Sequence, residues 1–513
     1  MSGLFLIIMV IGLFAGILSG IPAMLAIAGI PMLVAVAASV FFDAFNLSLL
    51  ALFPNRVWGV MNNTLLMAVP LFVIMGVLLE RARLAENMLG VLARMLGGSP
   101  RGMGLSVLAF SAMIAAATGI IGATVVMLVL VALKPMMDAG IPARRASGLI
   151  CASGTLGQII PPSILLVLLG DQIGNTYLEA QQRAGNFAPM PVSVGDLFAG
   201  ALIPGLMLVA LYGLYLSFVL RPAKGVSVPA QGEPVTWTEV IFTFLPPMLL
   251  IVSVLGSILA GVATATEAAG LGAIGAMLLA GWQGLRFRIE RWFVAGAGIA
   301  AFALVALRMA GMGRAALDTP AGQFALAGAI VITLGVLIAA TRLWNRGALQ
   351  GALGDTMKIS GMVFGIVIAA SMLALVFRGF GGDRLVMEMM SDMPGGQWGA
   401  LLLIMLLVFI LGFILEAIEI IYIVVPLLGP AILGTDISPV WFAVLLAMNL
   451  QTSFLTPPFG FALFYFRSVA PRSITTIDIY RGVIPFVLLQ LVALGILLAV
   501  PELATWLPRV IFG

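Results

Sequence analysis

The chain has 513 residues, of which 62% are hydrophobic and only 9% charged, against about 25% charged in soluble domains. So little charge cannot cover a water-facing surface, which excludes a cytosolic enzyme, a disordered chain and a nucleic-acid binder built on basic patches. With no histidine and one cysteine, Cys151, it has no histidine metal site, proton relay or catalytic triad and no internal disulfide, and the net charge of +4 reads as loop charge beside a membrane.

A helix needs about 20 apolar residues to cross the hydrocarbon core. Uncharged runs of that order predict spans near 4–20, 22–42, 63–79, 149–170, 197–220, 241–260, 267–284, 292–307, 321–340, 359–377 and 483–500. The first lacks a basic leader and reads as a retained span rather than a signal peptide. Residues 85–100 and 381–396 mix apolar and polar positions and read as helices near the interface. Residues 102–133 are uncharged for too long to be one simple crossing, as are 397–435 apart from Glu416 and Glu419. The polar stretches 171–196 and 221–239 read as an outer loop and an inner linker, the second holding Pro222, Pro229 and Pro234.

Lys and Arg divide 18 to 7 between the two faces, of 25 in all, if 102–133 and 397–435 each enter and return on one side. That asymmetry fits the positive-inside rule. The expected fold is an all-α polytopic membrane protein with two re-entrant helical hairpins and two helices broken at Pro-Pro. The expected division is 1–100, scaffold or arm helices; 101–170, first hairpin and broken helix; 171–280, periplasmic loop, scaffold helices and cytoplasmic linker; 281–345, two additional spans; 346–396, a second scaffold set; 397–470, second hairpin and broken helix; and 471–513, a C-terminal span.

The halves carry matching punctuation. In the first, Thr118-Gly119-Ile120-Ile121-Gly122-Ala123-Thr124 lies mid-hairpin, followed by Pro135 and then by Ser153-Gly154-Thr155-Leu156-Gly157-Gln158-Ile159-Ile160-Pro161-Pro162-Ser163. In the second, Glu416-Ala417-Ile418-Glu419 lies mid-hairpin, followed by Pro430 and then by Asn449-Leu450-Gln451-Thr452-Ser453-Phe454-Leu455-Thr456-Pro457-Pro458. Pro135 to Pro161 spans 26 residues and Pro430 to Pro457 spans 27. On the charge assignment the copies enter from opposite faces, an inverted-topology repeat of the kind that builds secondary transporters.

Two prolines in a row open a helix, and in lipid the freed carbonyls must face protein or a wet cavity. Carbonyls and hydroxyls suit a hard cation such as Na⁺, and half-helix N-termini suit an anion. One such break is often a plain kink, and small residues are often packing contacts; two, each beside a hairpin, favour a site. Glu416 and Glu419 would be costly at bilayer depth unless hydrated or paired, so each is a candidate for attracting a cation or carrying a proton, the plainer reading being a wet hairpin tip. Glu267, after Thr264-Ala265-Thr266, reads as a helix-capping residue. No GxxxxGK[ST] motif for nucleotide is present.

These residues resemble the large permease subunit, of DctM type, of the tripartite ATP-independent periplasmic (TRAP) transporters. Ala152-Ser153-Gly154-Thr155-Leu156-Gly157 with Pro161-Pro162-Ser163, and Thr456-Pro457-Pro458-Phe459-Gly460, carry the resemblance; Thr264 to Ala269 and Asp436 to Phe442 add to it. It covers nearly the whole chain except about 285–345. The resemblance implies a Na⁺-driven importer of organic acids in the bacterial cytoplasmic membrane, working as an elevator. It also implies a separate small membrane subunit and a periplasmic substrate-binding protein as partners, and no cofactor beyond the coupling ion. Carried over by position, Thr118, Gly119, Gly122, Ser153, Gly154 and Thr155 would form one cation site, and Glu416, Glu419, Asn449, Thr452 and Ser453 its twin. Thr124, Gln158, Pro161, Pro162, Ser163, Gln451, Thr456, Pro457 and Pro458 would face the substrate. The first tip departs from the family in having fewer hydroxyls, so ligation there would lean on backbone carbonyls; the second has Glu416 where the family often has Asp. A second hypothesis is an H⁺-coupled or binding-protein-independent transporter using Glu416 or Glu419.

Overall fold

Lipid offers no partner to a backbone N–H or C=O, so each buried segment must close its hydrogen bonds within itself. Every regular element in this computed structural model, which describes residues 2–81, 84–96, 99–220, 235–282, 285, 288–309 and 319–513, is accordingly a helix. The chain opens with α1 (Ser2–Leu18) and α2 (Ala23–Phe42), then the short α3 (Phe53–Met61), α4 (Ala68–Arg81) and the amphipathic α5 (Leu84–Met95). The first hairpin is α6 (Pro100–Thr118) and α7 (Ile121–Leu128), the latter continued through a π-helical turn at Val129–Leu133 into α8 (Lys134–Asp138). The first broken helix is α9 (Ala143–Thr155), a 3₁₀ turn and α10 (Ile164–Arg183). Then come α11 (Val194–Val219), α12 (Trp237–Leu259), α13 (Ala265–Trp282), the additional pair α14 (Arg288–Met309) and α15 (Pro320–Asn345), α16 (Ala348–Gly379) and the amphipathic α17 (Gly382–Ser391).

The second hairpin is α18 (Gly396–Leu411) with α19 (Ala417–Leu428) and α20 (Pro430–Leu433); the second broken helix is α21 (Pro439–Leu455) with α22 (Phe461–Val469). The chain closes with α23 (Thr476–Ala499) and α24 (Glu502–Phe512). Polar side chains start the long helices where the spans leave water. Ser193 with Asp196, and Thr475 with Asp478, form capping boxes on α11 and α23.

Length and composition alone would let Ile121–Asp138 cross a membrane. Its end comes back to the hairpin's start: a Cβ on Gly140 would lie 3.9 Å from Pro100, and α8 packs on α6. A single crossing by 100–138 would put those ends about 30 Å apart, so the segment folds back to the face where it began. In the second hairpin α20 likewise packs on α18. Ion pairs test the face assignment independently. Arg81–Asp355, Arg94–Glu239, Arg183–Asp383, Arg308–Glu267, Arg342–Glu290 and Arg378–Glu179 each join residues that the loop charges put on one side.

As the sequence reading expects, the run 149–170 is two helix halves separated by the Pro161-Pro162 break, because proline cannot continue the ladder. The structure adds to that reading in two places. Residues 471–513 hold the short α24 as well as a span; Pro501 stands at the joint, and α24 packs on α11. Residues 47–61 form a 3₁₀ turn and α3, whose Pro54 sits in the first turn where its missing N–H costs nothing. Of the predicted linker, residues 221–234 lie outside the described residues, as do Gly97 and Gly98.

Candidate functional site

At the first tip α6 ends at Thr118, whose side chain lies outside what is described. Gly119 takes φ +62°, a conformation open to glycine without steric cost. A Cβ there would stand 3.0 Å from the backbone N of Ile164, so the tip abuts the start of α10 just after Pro161-Pro162-Ser163. Ser163 is the N-cap of α10 but does not cap it; its hydroxyl donates to the Gln158 carbonyl at 3.1 Å. The first N–H groups of α10 are thereby without a side-chain cap and carry the positive end of its dipole. Gly460 likewise gives α22 no side-chain cap.

The carbonyl end of α9 faces the break from the other side. Gly154 packs against Val125 of the hairpin, where a Cβ would come within 2.3 Å of Cγ2. The Ser153 hydroxyl and the Gln158 amide oxygen are buried with no hydrogen-bond partner among the described residues. Thr155 differs: its hydroxyl donates to the Ala152 carbonyl at 2.8 Å and accepts from the Gln451 amide at 3.4 Å and the Gln490 amide at 3.5 Å. Its lone pairs are therefore taken. Thr124 donates to Ile120 at 2.9 Å.

At the second tip, Asn449 and Ser453 stitch α21 to α18, donating to the carbonyls of Met405 at 2.6 Å and Phe409 at 2.8 Å. Thr452 and Thr456 bond back to Met448 and Thr452 within the helix. Glu416 is the N-cap residue of α19, and its backbone N–H donates to the buried Glu419 carboxylate at 3.2 Å. Glu419 thus has a local helix-starting task besides any other. Gln451 of α21 lies beside Thr155, so the two breaks meet there. Pro161-Pro162 and Pro457-Pro458 are both cis. Glu267 does cap α13: Thr264 N–H donates to its carboxylate at 2.9 Å and its own N–H to the Thr264 hydroxyl at 3.2 Å.

Three groups were missed in the sequence. Tyr465 of α22 lies over Gly122, where a Cβ would stand 2.8 Å from Cζ, so it covers the first tip. Gln490 is a lone polar residue in the 483–500 run, and that isolation was a usable signal. Asp171 is buried and receives Asn63 at 2.9 Å, Asn175 at 3.3 Å and the Tyr422 hydroxyl at 3.3 Å; nothing local marks it.

The sequence profile described as "Tripartite ATP-independent periplasmic transporter, DctM component" matches residues 6–305 and 287–503, two segments that overlap over 287–305. The chain belongs to the DctM family of TRAP transporter components. This DctM protein is 25% identical over 453 residues to the C4-dicarboxylate TRAP transporter large permease protein of Vibrio cholerae, covering 87% of this chain and 86% of that one. It is also 25% identical over 501 residues to the 2,3-diketo-L-gulonate TRAP transporter large permease protein of Escherichia coli, covering 96% and 98%. In fold it resembles the crystal structure of the Alcanivorax borkumensis YdaH transporter, with a TM-score of 0.51 at 13% identity over 90% of this chain and 88% of that one. The chain is a multi-pass permease of the bacterial cytoplasmic membrane, not an enzyme.

Proposed function

We propose that this DctM protein imports an organic acid together with Na⁺, the two hairpins and two broken helices moving as a unit past the remaining helices. The observation that carries the reading is the abutment of the first tip on the uncapped start of α10, opposite the oxygen-rich end of α9. A helix start favours a carboxylate and a helix end favours a cation. Ser153, Gly154 and the tip backbone at Gly119 and Gly122 would hold Na⁺ as neutral oxygen donors, which the unpartnered Ser153 hydroxyl fits. The second set would be Glu416, Glu419, Asn449, Thr452 and Ser453. The solute would lie between the breaks, against Thr124, Gln158, Ser163 and Thr456. Relatives named for C4-dicarboxylate and for 2,3-diketo-L-gulonate support an organic acid. The implied partners are a periplasmic binding protein that delivers the solute and a separate small membrane subunit.

The inverted repeat is part of the proposal. It is supported by hairpin bases that close on α8 and α20, and by α20 receiving the Gln181 side chain of the outer end of α10 at 2.9 Å. The test is uptake by the purified complex in proteoliposomes, with its co-purifying binding protein, under an imposed Na⁺ gradient. Uptake indifferent to Na⁺ would sink the reading. A second reading, H⁺ coupling, is favoured by the buried Glu419 beside Glu416, for which no ion pair exists among the described residues. It requires uptake that follows a pH gradient and disappears in Glu416→Gln.

A further inference from the structure

Behind the first break lies a polar knot whose composition points to a ligand. Thr155, Gln451, Gln490 and Tyr212 are all fully or almost fully buried, and come from α9, α21, α23 and α11. The Thr155 hydroxyl spends its proton on the Ala152 carbonyl, so it can only accept from other groups. Both glutamines must therefore turn their NH₂ groups toward it, which leaves both amide oxygens facing away. Neither oxygen has a partner among the described residues, and the buried Tyr212 hydroxyl lies against the Gln490 amide. Leaving one such group unsatisfied costs about 1–3 kcal/mol; a protein does not gather two in one place without something to meet them.

The donor set is all oxygen and neutral. It adjoins the C-terminal ends of α9 and α21, whose free carbonyls and dipoles supply partial negative charge. That charge favours a cation over a neutral water, and the absence of a carboxylate in the knot favours a single positive charge.

We infer that Gln451 and Gln490, with the Tyr212 hydroxyl at the edge, form a buried site for a monovalent cation. It lies where α21 and α23 meet the end of α9 at Thr155. The inference deepens the Na⁺-coupled reading above by bringing α23 and α11 into the ion-binding machinery. Thr155 is the positioning residue that aims the two amides. Radioactive Na⁺ binding to the purified complex, with choline chloride holding ionic strength constant, tests it without any solute.

The wild type is expected to bind Na⁺ saturably. Gln490→Met and Gln451→Met keep side-chain volume but remove the oxygen. Each is expected to lose one ion from the stoichiometry or to weaken affinity about 10-fold, the worth of one hydrogen-bond-scale contact to a charge. Tyr212→Phe, which removes one edge oxygen and no packing, is expected to weaken it about 3-fold and stands in if a glutamine variant does not fold. Melting in choline chloride separates packing damage from ion loss. Wild-type stoichiometry and affinity in all variants that fold would overturn the inference and leave a trapped water or an empty knot. A wild type that binds no Na⁺ would overturn the Na⁺-coupled reading as well.

Discussion

Gly482 offers the sharpest test of how closely the first broken helix is held. A Cβ on this residue of α23 would stand 2.0 Å from the Arg144 carbonyl oxygen and 3.0 Å from the Gly148 backbone N. Both obstacles are backbone, so no rotamer relieves them. An ordinary carbon–oxygen contact is about 3.3 Å, so in Gly482→Ala α9 and α23 must part by about 1 Å, and overpacking of this kind costs about 1–3 kcal/mol. The same displacement carries Thr155 from Gln490, whose separation of 3.5 Å is already at the limit of a hydrogen bond. Gly495 is the control on the same helix, since nothing lies within 4 Å of its Cβ position; alanine there gains up to about 1 kcal/mol of helix propensity. Thermal unfolding of the purified complex should rank Gly495→Ala at or above wild type and Gly482→Ala clearly below. Equal melting temperatures for the two variants would refute the argument from close approach.

Other predictions follow the same reasoning. Ser153→Ala removes a buried hydroxyl with no protein partner and is expected to raise the Na⁺ concentration for half-maximal uptake about 10-fold with little loss of stability, whereas Thr155→Val breaks three bonds and should lower stability by about 2 kcal/mol; denaturation and Na⁺ titration separate them. Gly122→Leu drives into the Tyr465 ring and should abolish uptake while the complex still purifies intact, as checked by size-exclusion chromatography. Asn449→Leu cuts one stitch between α21 and α18 and should cost about 1–2 kcal/mol in thermal unfolding. Glu267→Ala should cost about 1 kcal/mol through the lost capping box and leave the Na⁺ dependence of uptake unchanged.

What was legible in the sequence was local chemistry. Pro161-Pro162 and Pro457-Pro458 break helices wherever they stand, Gly119 opens a tip because no Cβ obstructs it, and Thr264 with Glu267 spells a capping box in four residues. The charge-poor runs gave the spans for the same reason: lipid filters residue by residue. What was illegible depends on partners far along the chain. Gln490 reaches Thr155 across 335 positions and Asn63 reaches Asp171 across 108, and no window of sequence contains either pair. The end of Ile121–Asp138 illustrates the limit. Its composition permits a full crossing, and only the return of Gly140 to Pro100 shows a hairpin.

The cover over Gly122 comes from Tyr465, a residue synthesised 343 positions later. At about 5–20 residues per second, a ribosome delivers it roughly 20–70 s after the glycine. Through that interval the early hairpin has lipid or solvent where its partner belongs, so this half of the transporter is completed only when about the last tenth of the chain emerges. Biogenesis therefore has a late, concerted step, and truncation before α22 should leave the early membrane segments to the quality-control proteases.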